Sequence, residues 1–231
     1  MQYKRLTLLC GHYGSGKTNI AVNMVLDLKK QKDKCALADL DIVNPYFRAK
    51  DSSGELEHNG IKFICSSYAN SNVDMPALPQ DIYSITDDRS VYTVLDIGGD
   101  DRGALALGRI VPAIKEENDY EMLMVINCYR PLTRDPESTL DVLNEIETAC
   151  NLKFTGIINN SNLGTDTTPE IVLDSLEYAE QTARLAGIPV VMTTVEKELY
   201  PLLEGKIENL FPLEMKIGLQ QRIAVQRDNL L

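Results

Sequence analysis

The sequence predicts an α/β fold: a doubly wound, mostly parallel sheet with helices on both faces. Three observations predict it. Apolar strand-like runs recur at 5–10, 34–39, 61–65, 91–97, 121–128, 154–159 and 189–195. Several are continuous Val/Ile/Leu runs rather than alternating ones, as strands buried on both faces require. Helical patterns at 18–31, 102–117, 136–150 and 169–186 separate many of these runs, and strands alternating with helices build a parallel sheet. Third, a glycine-rich turn joins the first strand to the first helix.

Taken in order, Leu6-Thr-Leu-Leu-Cys10 reads as a short buried strand. The helix after the turn carries Ile20, Val25 and Leu28 on one face. Between them stands Gly11-His-Tyr-Gly-Ser-Gly-Lys17-Thr18, which fits Gly-x-x-x-x-Gly-Lys-[Ser/Thr], a phosphate-binding loop. Strand, glycine loop and helix in that order supply what phosphate binding needs: backbone N–H groups and the positive end of a helix. Lys17 would reach the β- and γ-phosphates, and the Thr18 hydroxyl would hold Mg²⁺.

In such folds ligands sit at the carboxyl ends of the strands, so polar residues that end strands are the site candidates. The second run ends in Asp39-Leu-Asp41-Ile-Val-Asn44-Pro45, with two carboxylates on one side of an extended segment. The fourth ends in Asp96-Ile-Gly-Gly99-Asp100, where an Asp closing an apolar strand suits a water-mediated Mg²⁺ contact. The fifth leads into Asn127-Cys-Tyr129-Arg130-Pro131-Leu-Thr-Arg134, either an anion or partner site or an ordinary loop. The sixth ends in Asn159-Asn160-Ser161-Asn162, whose amides suit reading a purine edge. No Asn-Lys-x-Asp string is present to read guanine, which favours adenine.

Helix punctuation supports the same layout. Asp135 precedes Pro136, and Thr168 precedes Pro169, each an N-cap before a proline at the first helical position; Gly187 closes the last helix. The tail 213–231 carries Met215, Leu219 and Ile223 at helical spacing, a stripe suited to packing on the domain or on a partner helix. One domain over 1–231, with this helical tail, is the simplest organisation.

Composition narrows the function. With 44% hydrophobic residues in 231, the chain can bury a sizeable core. A net charge of −11 argues against nonspecific nucleic-acid binding and against docking on an anionic membrane. The five cysteines are scattered with no C-x-C or C-x-x-C spacing, which suits a reducing, cytoplasmic setting and small buried hydrophobes. No apolar run approaches 18 residues.

The order of Gly11–Thr18, Asp39-x-Asp41, Asp96-x-x-Gly99-Asp100 and Gly156-Ile-Ile-Asn-Asn160-Ser161 resembles the deviant-Walker ATPases. These include septum-site and chromosome-partitioning ATPases, the nitrogenase iron protein and metal-insertion ATPases. The resemblance implies ATP and Mg²⁺ as cofactors. Gly11, Gly14, Ser15, Gly16, Lys17, Thr18 and Asn19 would hold the phosphates, and Gly99 would sense the γ-phosphate. Asn160 would contact adenine, with Val195 flanking the base. Thr18, Asp39 and Asp96 would serve the metal, and Lys17 and Asp41 would be catalytic, Asp41 by positioning the attacking water. The family's signature lysine, at the second loop position, is replaced by His12, which leaves Arg48 and Arg102 as candidates to act across a dimer.

The function expected is an ATP-hydrolysing switch acting on an unidentified protein client, with a nucleotide-dependent homodimer possible by the resemblance. The alternative is an ATP-dependent synthetase activating a small carboxylic acid, as in the dethiobiotin and cobyrinic-acid synthetases. A positioning ATPase on DNA or membrane is a third reading, against which the acidic composition counts.

Overall fold

A computed structural model describes residues 3–40, 52–65, 80–98 and 107–215. Eight strands form one sheet: β1 (Leu6–Cys10), β2 (Cys35–Asp39), β3 (Ile61–Cys65), β4 (Tyr92–Asp96), β5 (Tyr120–Ile126), β6 (Gly156–Asn159), β7 (Val190–Glu196) and β8 (Leu210–Leu213). Their order is β3-β2-β4-β1-β5-β6-β7-β8, and every neighbouring pair is parallel. The helices are α1 (Lys17–Lys29), α2 (Ser53–His58), α3 (Ser84–Asp87), α4 (Val111–Glu117), α5 (Pro136–Cys150), α6 (Pro169–Ala186) and α7 (Tyr200–Leu203).

The continuous apolar runs are continuous because both faces of the sheet are covered. On β1, Leu6, Leu8 and Cys10 join one core cluster, while Leu9 joins the other. On β5, Met122, Met124 and Ile126 face the first, and Leu123 and Val125 the second. This is the period-two alternation of a strand with no polar face. Ile114 of α4, Leu143 of α5 and Ala179 of α6 roof the first cluster. Ile20, Met24 and Leu28 of α1 and Leu56 of α2 roof the second. All five cysteines are free, and Cys10, Cys35 and Cys150 are buried, as small hydrophobes would be.

The helix caps form as the sequence requires. Asp135 accepts from the Ser138 N–H at 2.8 Å, Thr168 accepts from Ile171, and Gly187 takes the left-handed conformation at φ 69°. Two expectations are corrected, and one strand is added. Within the helix expected over 102–117, residues 109–110 form a turn and α4 starts only at Val111. Pro112 is the reason: lacking an N–H, it is tolerated in a first turn but not in a helix interior. The tail expected to be helical from 213 begins as strand, since Leu213 ends β8 and residues 214–215 are irregular; 216–231 lie outside the described residues. β8 itself was not foreseen, because Pro212 argues against a strand anywhere but at a sheet edge, which is where β8 lies.

At the amino ends of the strands, Arg5 is 3% exposed and pairs through two nitrogens with the Glu117 carboxylate. Its Nη1 donates to the carbonyls of Ile85 at 2.9 Å and Val91 at 3.0 Å. This ties β1 to the end of α4, across the sheet from the candidate site.

Candidate nucleotide site

The carboxyl end of β1 lies at the centre of the sheet, between β4 and β5, and there the chain turns through residues 11–16 into α1. Two glycines in the turn are required by space as well as by conformation. Gly11, at φ 147°, lies so close to the Val125 carbonyl that a Cβ would overlap it. Gly16, at φ 92°, leaves no room for a Cβ against the Asn160 amide. Gly16 also occupies the N-cap of α1 without a side-chain cap, so the first N–H groups of the helix face the loop.

Lys17 opens α1 and is 5% exposed. Its Nζ donates to the carbonyls of Gly11 at 2.9 Å and His12 at 3.2 Å, and it makes no ion pair among the described residues. A buried charge is ordinarily paired, and an ammonium set among carbonyls at a helix N-terminus is a setting that suits an anion. The Ser15 hydroxyl is buried and has no hydrogen-bond partner among the described residues. Thr18, on the first turn, is buried as well. These features fit a phosphate chain.

The carboxylates expected at the metal come together. Asp39 ends β2 and Asp96 ends β4, and the parallel register pairs them directly. Asp96 is also the register partner of Leu9, two residues before Gly11. Both carboxylates are buried. Among the described residues no group of three His, Cys, Asp or Glu side chains could hold a metal by itself. A cation here would therefore need hydroxyl and phosphate oxygens besides these two acids, which is how Mg²⁺ is bound beside nucleotides. Burial pushes the Cys10 thiol up, making it a packing group rather than a nucleophile. Asp41, Gly99, Arg48 and Arg102 lie outside the described residues.

Asn160 stands where its strand-end position predicted, but its amide is turned toward the loop. Nδ2 donates to the Ser15 carbonyl at 2.6 Å, and Oδ1 accepts from the Thr194 hydroxyl at 2.6 Å. This contact braces the loop from β6 and β7. Val195 packs with Val172 and Leu203 in a separate apolar cluster, which leaves only its backbone for a base. Asn19 directs its amide to the Met215 sulfur at 3.0 Å, toward the end of β8. His12 is half-buried; its Nδ1 lies 3.0 Å from the Tyr13 carbonyl, a contact that requires the proton on Nδ1. Tyr13, next to it, is 50% exposed.

Sequence reasoning missed Thr194. Its signal was present: the run 189–195 carries Thr193 and Thr194 near its carboxyl end, the same strand-end polarity that identified Asp96.

No protein-family model matches this chain, and no curated protein matches it. Solved structures do. The cell division protein FtsY from Thermotoga maritima aligns with TM-score 0.50 and 20% identity, over 82% of this chain and 61% of its own. Chloroplast FtsY from Physcomitrella patens aligns with TM-score 0.50 and 17% identity, over 84% of this chain and 58% of its own. The chain thus spans less than two thirds of the length of these structures. At such identities the likeness is one of fold, and the fold is that of the α/β P-loop nucleotidases.

Proposed function

We propose that this protein is a Mg²⁺-dependent ATP-binding and hydrolysing switch that acts on a protein partner. The observation that carries the reading is the buried Lys17 ammonium, without an ion pair among the described residues, at an uncapped helix N-terminus beside the unpartnered Ser15 hydroxyl. In this reading Lys17 binds and orients the β- and γ-phosphates. The N–H groups of Gly14, Gly16 and Thr18 line the phosphate chain, while the Ser15 N–H donates to the His12 carbonyl at 3.2 Å within the loop. Thr18, Asp39 and Asp96 hold Mg²⁺, directly or through water; when bound, the ion neutralises charge on the transferring phosphoryl group. Asp41 orients the attacking water, and Gly99 follows the γ-phosphate.

Adenine is preferred because the segment Asn159-Asn160-Ser161-Asn162 offers no carboxylate for guanine. With the Asn160 amide braced against the loop, shape and backbone groups near Val195 carry more of the base selection. Occupancy would rearrange the segments that follow Asp39 and Asp96, and the partner would read that change.

Titration calorimetry and a phosphate-release assay test this together. The wild-type protein binds Mg²⁺–ATP; Lys17→Ala loses binding; Asp41→Ala keeps binding and loses turnover. Tighter binding of GTP than of ATP moves the reading to a GTP switch. An Asp41→Ala variant with normal turnover removes the water-positioning assignment.

A further inference from the structure

We infer that Arg130 is a phosphate-binding cation of the nucleotide site, supplied in cis by the β5–α5 connection. The inference rests on the nucleotide reading above and adds a residue that the loop motif does not contain.

The connection holds the Arg130 backbone in place, while its side chain is exposed. Asn127, fully buried at the end of β5, accepts through Oδ1 from the N–H groups of Tyr129 at 2.9 Å and Asn162 at 3.4 Å. Its Nδ2 donates to the Asn162 carbonyl at 3.2 Å. The Asn127 carbonyl in turn accepts from the Thr133 hydroxyl at 2.7 Å and from the Arg130 N–H at 3.1 Å. The Arg130 carbonyl accepts from the Thr133 N–H at 3.1 Å, and Cys128 donates to the Ser161 hydroxyl at 3.1 Å. Both backbone groups of Arg130 are therefore fixed, by a network anchored in β5 and β6.

From this platform the side chain reaches across to the phosphate loop. Its Nε and Cζ lie 3.7 and 3.8 Å from the point a Cβ on Gly14 would occupy. The guanidinium makes no ion pair or hydrogen bond among the described residues. Among the described arginines, Arg5 pairs with Glu117, Arg134 with Asp135 and Arg184 with Glu180, while Arg89 and Arg109, like Arg130, make no ion pair among the described residues; what distinguishes Arg130 is its position. It sits beside a loop that already holds Lys17 and the positive end of α1. Like charges converge there only at a cost, which an anion between them removes. A guanidinium presents five donors in a planar fork matched to phosphate oxygens, so the chemistry it would recognise is a phosphate chain.

The test compares wild type, Lys17→Ala, Arg130→Ala, Arg130→Gln and Arg130→Lys by titration with Mg²⁺–ATP and Mg²⁺–ADP and by melting without nucleotide. Arg130→Ala and Arg130→Gln are expected to bind about tenfold or more weakly, the loss typical of one charge-assisted hydrogen bond. Arg130→Lys is expected to recover part of the loss, and ligand-free melting of the exposed-site variants to match wild type. A mixture of Lys17→Ala and Arg130→Ala proteins stays weak if the cation acts in cis; recovery in the mixture overturns that assignment. Wild-type affinity in Arg130→Gln overturns the inference and leaves the proposed function standing. Absence of nucleotide binding by wild type overturns both.

Discussion

Asn160 shows how a single side chain connects sequence, fold and site. It was legible as a site residue because it follows an apolar strand, and ligands gather at strand ends. Its partners were not legible: Ser15 lies 145 positions away and Thr194 lies 34 away, and no local pattern reports contacts at such separations. The structure redirects the residue from the base toward the loop, and the two roles make different predictions. As a brace, Asn160→Ala strips the buried Ser15 carbonyl of its donor, which costs about 1–3 kcal/mol of stability. It also loosens the loop and lowers ATP affinity. Thr194→Val keeps the donor on Ser15 and loses only the group that orients the amide, so its loss should be smaller on both counts. Chemical denaturation and calorimetry on the two variants check this. If Asn160→Ala weakens ATP binding while stability is unchanged, the side chain acts on the nucleotide itself, as the sequence first suggested. The motif residues need no such redirection, because the loop chemistry is written contiguously from Gly11 to Thr18. Asp39 and Asp96 were read by the same strand-end rule, and the parallel register sets the two residues side by side.

At the scale of elements, what the sequence conveyed was burial. Strands covered on both faces leave continuous apolar runs, and helices that begin with a cap and a proline leave punctuation; α5 and α6 match their expected limits. What it did not convey was the sheet order, the edge strand with Pro212, and the break before Pro112, each decided by packing at a distance or by one residue inside an otherwise regular pattern. Arg5 belongs to this second class. A charged residue at the start of an apolar strand reads as a solvated end, yet here it is buried and bonded to Glu117 and to two carbonyls. Removing it would strand the Glu117 carboxylate, itself 7% exposed. Arg5→Leu should therefore destabilise by about 3–5 kcal/mol in urea unfolding. The double variant Arg5→Leu, Glu117→Leu should recover much of that, because the lone buried charge is gone. Since the pair lies at the amino ends of the strands, the folded fraction of either protein should bind ATP with unchanged affinity. Equal stability of Arg5→Leu and wild type would show the pair to be solvated rather than buried.

At the scale of the whole molecule, the loop, β2 and β4 act as one unit. β4 joins β1 to β2 through parallel ladders, and the Leu40 N–H donates to the Asp96 carbonyl at 2.8 Å. A ligand on the loop therefore bears on the point from which two chain segments leave the sheet. In the proposed reading this is where phosphate contacts would bias two conformational states, as a switch requires. Whether the partner that reads it is a second copy of the chain is decided by mass. His12 and Tyr13 lie in the loop, and Tyr13 is half exposed. Sedimentation should show a 25.8 kDa species with ADP and twice that mass with ATP and Mg²⁺ in the slow-turnover Asp41→Ala protein. Ligand binding alone should raise stability by about 2.7 kcal/mol at one hundred times Kd in either nucleotide. The two measurements therefore separate occupancy from switching. Stabilisation by both nucleotides with dimerisation in ATP alone is the switch by pairing. Stabilisation with an unchanged mass removes pairing and leaves the client as the reader, because a ligand can shift only those states that it binds differently.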